Sequence, residues 1–490
     1  MKKYIILMSA ALLLNSFNAC SERDLELFSP SSDLITSLSN ETELQKMLNG
    51  SYLNISSANA LGANLFVFGD ILGDKIYNTS SRALFIQSYE YNYNGLQNQF
   101  TFYRSMYDAI MSSNIVINNT SVKDSENVKQ IKGQAKILRG LAYFILVNYY
   151  SPSPTSGVNQ EYGVPLVLGD YDSTIQPARA TVAENYNQII KDLTEGMNET
   201  QDPANKVILG PTAAKLILSR VYLTRRAAGD AQLALQYATE VADAAPEGAF
   251  KSGGVYSQTD YSNYFKATDD TVYEGHPETL WELDMNFFSN QITGIGSNGC
   301  LPVYYSPGDN TRRSLLATRN LYESFGSNLD IRRGAINTGL FSNQALTPEA
   351  MNGNGYWINK YPKFTSEGNF FRNIRVLRYS EAFLNRIEAL RLTGQQALAL
   401  TELNAFAASR QGTTYTGTNL LSDILTERSK EFYGEGQRFL DLKRYNLPVV
   451  RTSNCTTCEL QASDHRFVLP VSQDAKNNNA NLKQYPGYTN

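Results

Sequence analysis

Apolar residues recur at helical spacing over much of the chain, in blocks separated by polar, glycine-rich stretches. Ile131, Ala135, Leu138, Ala142 and Ile145 form one such stripe. It predicts a helix that must stop before Pro152 and Pro154, because proline lacks the amide donor and clashes with the preceding turn. An earlier block with Phe102, Met106, Ile110 and Ile117 predicts a helix over residues 100–116. Thr181, with Glu184 three positions on, reads as a capping box opening a helix through Ile190 and Leu193. Each stripe is most simply one face of a packed core.

Two stretches go further and have the form of tetratricopeptide-like helical hairpins. In the first, residues 213–226 make one helix, Gly229 and Asp230 the turn, and residues 231–244 the second helix. Tyr222, Ala234, Ala238 and Pro246 stand where that repeat takes an aromatic, two small residues and a terminating proline. In the second, residues 379–392 and 396–409 flank Gly394, with Ala397 and Ala399 expected at the close contact. The two hairpins are far apart in sequence, so the fold class expected is mostly α, a scattered helical scaffold and not a regular solenoid. Its scaffold occupies about residues 31–65, 99–250 and 372–445. Residues 66–98 and 251–371 are rich in Gly, Asn, Ser, Thr and Tyr and are expected to form loops with short strands over the scaffold, where binding usually resides.

The first residues change the picture of where this body sits. Lys2 and Lys3 lead into an apolar run from Tyr4 to Leu14, followed by Asn-Ser-Phe-Asn-Ala and then Cys20. A basic start, a short apolar run and a small residue before a break make a signal peptide over 1–19. The run falls short of the roughly 20 apolar residues that span a bilayer. Cys20 is therefore the expected lipidation site of a bacterial lipoprotein, its palmitate-type chains anchoring an otherwise water-facing body, with residues 20–30 as a tether. An ordinary secreted protein is the alternative.

Charge and scarce residues narrow the chemistry. The net charge is −4, and −6 once Lys2 and Lys3 leave with the leader. With no basic stripe, nucleic acid is not an expected partner. Only two histidines are present, His276 and His465, so a histidine metal site or a serine triad has little to draw on. Cys455 and Cys458 form a single CxxC in a polar stretch; a local disulfide is expected, ahead of free thiols and of metal or redox chemistry. No Asp/Asn-rich loop has a calcium-ligand spacing. No cofactor and no metal are called for.

The C-terminal part carries a recognisable pattern. Arg375, Arg378, Tyr379, Glu381, Leu384, Glu388 and Ala389 precede Leu403-Asn404. Then come Glu427, Arg428, Glu431, Gly434, Glu435, Gly436, Arg438, Asp441, Arg444 and Tyr445. Earlier, Arg139, Ala142, Tyr143 and Phe144 lead to Gly163-Val-Pro-Leu, with Arg179, Thr181 and Val182 after them; the tail runs from Arg466 through Pro470 to Pro486-Gly-Tyr. This pattern resembles the SusD/RagB family of outer-membrane nutrient-binding lipoproteins of Bacteroidetes. The resemblance implies one SusD-like domain over 31–490 that is not an enzyme. It implies capture of an oligosaccharide at the cell surface and its delivery to a SusC-like TonB-dependent transporter. Glu22, Asp24 and Glu26 behind Cys20 resemble a signal for the outer leaflet. A peptide-capturing member of the family and a helical adaptor with only protein partners are the alternatives; a lipid-anchored hydrolase is disfavoured. Glu427 and Glu431, one turn apart, could serve as an acid/base pair, but ion pairing with Arg438, Arg444 or Arg378 is the preferred reading.

A sugar site needs flat aromatic faces and side chains that bond hydroxyls, and no nucleophile. Composition points to three groups as ligand-binding candidates. The first is Asp70, Asp74, Tyr77, Asn78 and Arg82, with Tyr89, Tyr91 and Tyr93, whose alternation would put three rings on one face of an extended segment. The second is Asn298, Tyr304 and Tyr305, and the third is Tyr356 and Trp357. For each, a loop aromatic packed on the scaffold is the simpler alternative. With 31 Tyr and 22 Phe but only two Trp, a broad platform for helical, starch-like polymers is mildly disfavoured.

Overall fold

The computed structural model describes residues 38–78, 85–170, 172, 174–285, 300–306, 315–343, 355–362, 372–452 and 454–488. Cys20, Arg82 and Asn298, with the leader and the tether, lie outside the described residues.

The described chain is mostly helical. It runs α1 (Glu41–Ser56), α2 (Asn64–Ile71), β1 (Ile76–Asn78), α3 (Ile86–Tyr89), α4 (Phe102–Asn118), α5 (Glu126–Tyr150), α6 (Val182–Glu199), α7 (Pro211–Arg225) and α8 (Asp230–Asp243). The loop-rich part follows with α9 (Gln258–Lys266), α10 (Asp270–Tyr273), β2 (Thr279–Leu283), α11 (Leu301–Tyr305), β3 (Leu315–Ala317), α12 (Arg319–Ser324), β4 (Phe341–Ser342) and β5 (Trp357–Ile358). The chain returns to the scaffold through β6 (Ile374–Arg378), α13 (Tyr379–Leu392), α14 (Gln396–Ser409), α15 (Leu420–Glu431) and α16 (Arg438–Arg444), then closes with β7 (Val449–Val450), β8 (Glu459–Leu460) and α17 (Gln473–Asn477). Among the described residues no helix is long and apolar enough to cross a membrane.

The predicted helices form where the stripes lie. Helix α5 ends at Tyr150, ahead of the prolines, and buries Ile131, Ala135, Leu138 and Ala142 against α4 and α6. At the head of α6 both halves of the capping box are present: Glu184 N donates to Thr181 Oγ1 at 3.1 Å, and Thr181 N donates to Glu184 Oε2 at 2.7 Å. Arg139 ties three helices together, with bonds to Asp192 at 2.6 and 2.9 Å and to Asn114 at 2.9 Å. In the first hairpin Ala234 and Ala238 are buried and Tyr222 stacks on Tyr237. The second hairpin needs one correction: Ala399 is buried but Ala397 is exposed, because residues two apart on a helix point to different faces.

A second correction falls on residues 66–98, read from composition as loop. Leu65 to Ile71 belongs to α2, a helix buried all round. Such a helix shows a continuous apolar run and no stripe, so it gives no helical periodicity.

Helix α15 ends at Glu431, and the turn that follows has Gly434 and Gly436 with φ of +75° and +70°, a backbone region that glycine enters without the Cβ penalty. Gly436 lies directly against α2. A Cβ added to Gly69 would overlap the Gly436 carbonyl. Around this joint the motif carboxylates are structural. Glu431 accepts from Arg378 Nη1 at 2.6 Å and lies 3.4 Å from both Arg332 and Arg410. Arg332 also holds Glu427 at 2.5 Å and Asp330 at 2.7 Å. Burial disfavours the Glu431 charge, but Arg410, Arg378 and Arg332 outweigh it and keep the carboxyl well below its usual range. Of the three expected partners only Arg378 is used. Arg438 is taken by Asp74, and Arg444 by Glu388 and Asp441.

Candidate functional site

Among the described residues there are four small antiparallel pairs, three of which involve the loop-rich part. In one, β1 pairs with β3, Ile76 opposite Ala317 and Asn78 opposite Leu315. Ala317 then exchanges both backbone bonds with Tyr356, at 2.8 and 2.9 Å. Tyr356 leads directly into β5, which pairs with β4. The result is a narrow ribbon that fixes Tyr356 by its backbone.

Beyond β3, Thr318 caps α12 by accepting from Leu321 N at 3.2 Å. That helix presents Tyr322 flat against Tyr356, ring centroids 4.0 Å apart and planes 23° from parallel. On Tyr322, the Arg333 guanidinium sits 3.9 Å from the ring centroid and donates to the hydroxyl at 2.8 Å. Below, Phe341 meets both tyrosines edge-on and stacks on buried Tyr433. Tyr322 and Tyr356 are half-buried. Exposed beside Tyr356 are Arg319 and Glu323, which pair at 2.6 Å, while the neighbouring exposed Asn320 donates to Thr452 at 3.2 Å. Partial burial raises the Tyr356 hydroxyl pKa, so it stays protonated and able to donate. An aromatic face rimmed by guanidinium and carboxylate groups can stack on a sugar ring and bond its hydroxyls.

The remaining sequence candidates lie inward. Tyr89 ends the α3 turn and Tyr91 has φ +55°, so residues 89–93 are not extended and the expected row of three rings on one face does not form. Arg451 sits 4.0 Å from the Tyr89 ring and 4.3 Å from that of Tyr91. It donates to the carbonyls of Ile71, Gly73 and Tyr89. The Tyr91 and Tyr93 hydroxyls bond the carbonyls of Leu72 and Arg466, each at 2.6 Å. Asp70 accepts from Tyr305 Oη at 2.6 Å and from Gly436 N at 3.1 Å; burial pushes its carboxyl up to about 7 against these bonds. Asp74 is nearly buried, yet Arg438 and Lys75 beside it hold its carboxyl far below the usual range. Tyr77, Asn78, Tyr304, Tyr305 and Trp357 are also buried, with Asn78 O accepting from Asn454 and Tyr304 packed edge-on to Phe85. Ring-rich composition marked them, but these rings serve the interior beneath the loops. Cys455 and Cys458 are joined by a disulfide in the β7–β8 turn, from which Thr456 N and Thr457 N donate to Glu90.

Of the described aromatic candidates, then, Tyr356 is the one left half-buried and the others are buried. The residues that complete its surroundings, Tyr322, Arg319 and Glu323, come from one short helix. One turn of helix has no periodicity to read, which is why the pattern missed them.

Comparison with known proteins decides the family. Residues 25–223 match a SusD-like model described as starch-binding and associating with the outer membrane, and residues 341–488 match the SusD family model. The chain belongs to the SusD/RagB family. A SusD-like protein of Bacteroides ovatus is 25% identical over 252 residues, 45% of this chain and 43% of that protein, so the match spans less than half of the relative. Two solved structures superpose with a TM-score of 0.80 at 26% identity. One is a SusD superfamily protein of Bacteroides thetaiotaomicron, covering 91% of this chain and all of that one. The other is a candidate sugar-binding protein of Bacteroides vulgatus, covering 93% and 100%. The mostly helical SusD-type architecture expected from the sequence is thus the one found.

Proposed function

We propose that this chain captures oligosaccharides at the cell surface, without catalysis, and passes them to a SusC-like TonB-dependent transporter in the outer membrane. In this reading Cys20 is acylated and the body is tethered outside the membrane. The observation that carries it is the Tyr322–Tyr356 stack: a half-exposed aromatic face held rigidly by ribbon and helix, with hydrogen-bonding side chains at its rim. A family model described as starch-binding and outer-membrane-associated, and a relative thought to bind sugar, support the same ligand class.

The test is a binding screen of the chain purified without residues 1–20, against a panel of polysaccharides and a peptide digest. Saturable retention by one glycan class, with the glycan recovered intact and retention lost in Tyr356→Ala, is the expected result. Retention of peptides alone would move the protein to the peptide-capturing alternative. Shortened oligomers after incubation would reopen the hydrolase reading.

A further inference from the structure

A separate pocket of about 450 Å³ opens where the end of α16 meets the segment after α5. Its volume lies within the range of small-molecule sites, and it shares no residue with the Tyr356 surface. Lys443 lines it, with Ser153 and Ser156 on one side, Gln461 and Ser463 on another, and Tyr485 at its edge.

Lys443 is unusual. It is 6% exposed, and its ammonium donates to two carbonyls at the C-terminal end of α5, Asn148 O at 2.7 Å and Ser151 O at 2.8 Å. An ammonium has three donors, so two carbonyls leave one over. Among the described residues no carboxylate lies within ion-pair distance of it. The two nearest in sequence or across the pocket are engaged elsewhere, Asp441 with Arg428 and Arg444, and Asp464 with Arg466. Ser151, whose carbonyl accepts from Lys443 but which does not itself line the pocket, has a buried hydroxyl with no hydrogen-bond partner among the described residues. A buried charge without a counter-ion is costly, and an anion in the adjoining pocket would remove that cost.

We propose that this pocket binds a small oxyanion-bearing molecule, its carboxylate or sulfate against Lys443 and its hydroxyls toward Ser153, Ser156 and Gln461. The pocket is larger than one ion needs, and its lining mixes hydroxyl and amide groups with apolar surface from Val158 and Phe467, so an acidic monosaccharide unit fits it better than a bare inorganic oxyanion.

Burial alone pushes the Lys443 ammonium down to about 7. The other titratable groups around it are Asp441 and Arg444 on its own helix, Tyr149 and Tyr150 on α5, Asp464, His465 and Arg466 in the facing turn, and Tyr485. The His465 pKa is lowered by burial, so Lys443 is the group that changes charge near neutrality. An oxyanion binds the protonated form, so affinity falls as pH rises through about 7.

The experiment is isothermal titration of the full chain, purified in detergent, with sodium glucuronate, sodium sulfate and glucose. Saturable binding of glucuronate, with glucose silent and affinity about tenfold weaker at about pH 8 than at about pH 6, is expected. Both Lys443→Met and Ser463→Trp should abolish it. The second variant lies at the exposed rim and leaves Lys443 in place, so it decides the matter should the first fail to fold. Sulfate binding without glucuronate binding would keep the anion site and overturn the sugar assignment. Silence from both anions, or binding undiminished in Ser463→Trp, would leave Lys443 as a helix cap and nothing more.

Discussion

Two regions of this protein use the same side chains, arginine, glutamate and tyrosine, for opposite ends. At the joint behind α15, Arg332, Glu427 and Glu431 have no exposed side-chain surface, and Tyr433 donates to the Arg332 carbonyl at 2.8 Å. At the ribbon, Arg319 and Glu323 form an equally short pair, but their side chains are 56% and 55% exposed. In the first region water is gone and each charge depends on its partner; in the second, water can replace either partner at little cost. Residue type therefore says little about role here. Solvent access is what separates a frame from a surface free to exchange its bonds for those of a ligand.

The sharpest way to break this comparison is to remove Arg332. Arg332→Met leaves Asp330, Glu427 and Glu431 buried near one another with one cation fewer, and a loss of about 3–5 kcal/mol is expected. Chemical denaturation measures it. A variant as stable as the parent would show that the node is wetter than it looks.

Asp70 lies between the two regions, joined to the glycine turn through Gly436 N and to the loop part through Tyr305. Its folded pKa, about 7, stands above the ordinary carboxylate value because burial disfavours the charge. The native state therefore holds a proton that the unfolded state has released between about pH 4 and 7. Its contribution to stability is full below about pH 4 and is lost as pH rises through that window. Asp70→Asn mimics the protonated acid, so the variant should gain on the parent by on the order of 4 kcal/mol between about pH 4 and 7. Denaturation midpoints of both proteins across that range give the difference. Parallel curves would mean that Asp70 titrates normally.

Gly69→Ala tests the same joint without touching charge. The added methyl meets the Gly436 backbone, not a side chain that could turn aside. Overpacking at such a contact costs typically about 1–3 kcal/mol, read as a drop in melting temperature. An unchanged melting temperature would mean that α2 and the glycine turn can separate freely.

What was legible in the sequence follows the same division. The long helices, the α6 capping box, both hairpins and the α15–glycine–α16 turn were readable because each is specified by local spacing or a local breaker. Helix α2 was not, since burial on every side erases the stripe that would reveal it. The site was the least legible part. Tyr89, Tyr91, Tyr93 and Tyr305 have the composition of a sugar-binding loop, and only tertiary contacts to Arg451, Arg466 and Asp70 turn them inward. Tyr322 lies in a six-residue helix, too short for amphipathic pattern to show, and it meets Tyr356 only through strand pairing.

A small expected change in stability is the most informative about function. Tyr356→Ala removes one ring of the stack, and an aromatic pair of this kind adds about 0.5–1.5 kcal/mol beyond its buried area. The backbone bonds from Ala317 to residue 356 remain, so the ribbon should persist and the fold should lose about 1–2 kcal/mol. Binding of the glycan found in the screen should fall far more, by roughly thirtyfold, as for an interface anchor worth about 2 kcal/mol. Arg319→Ala, at the exposed rim, should leave stability unchanged and weaken binding less. This pattern, a small loss in melting temperature beside a large loss in affinity, is the reverse of that expected for Arg332→Met, whose residual folded fraction should still bind. If Tyr356→Ala instead lost stability and affinity in proportion, the stack would belong to the frame. The ligand surface would then have to be sought elsewhere on the loop-rich part.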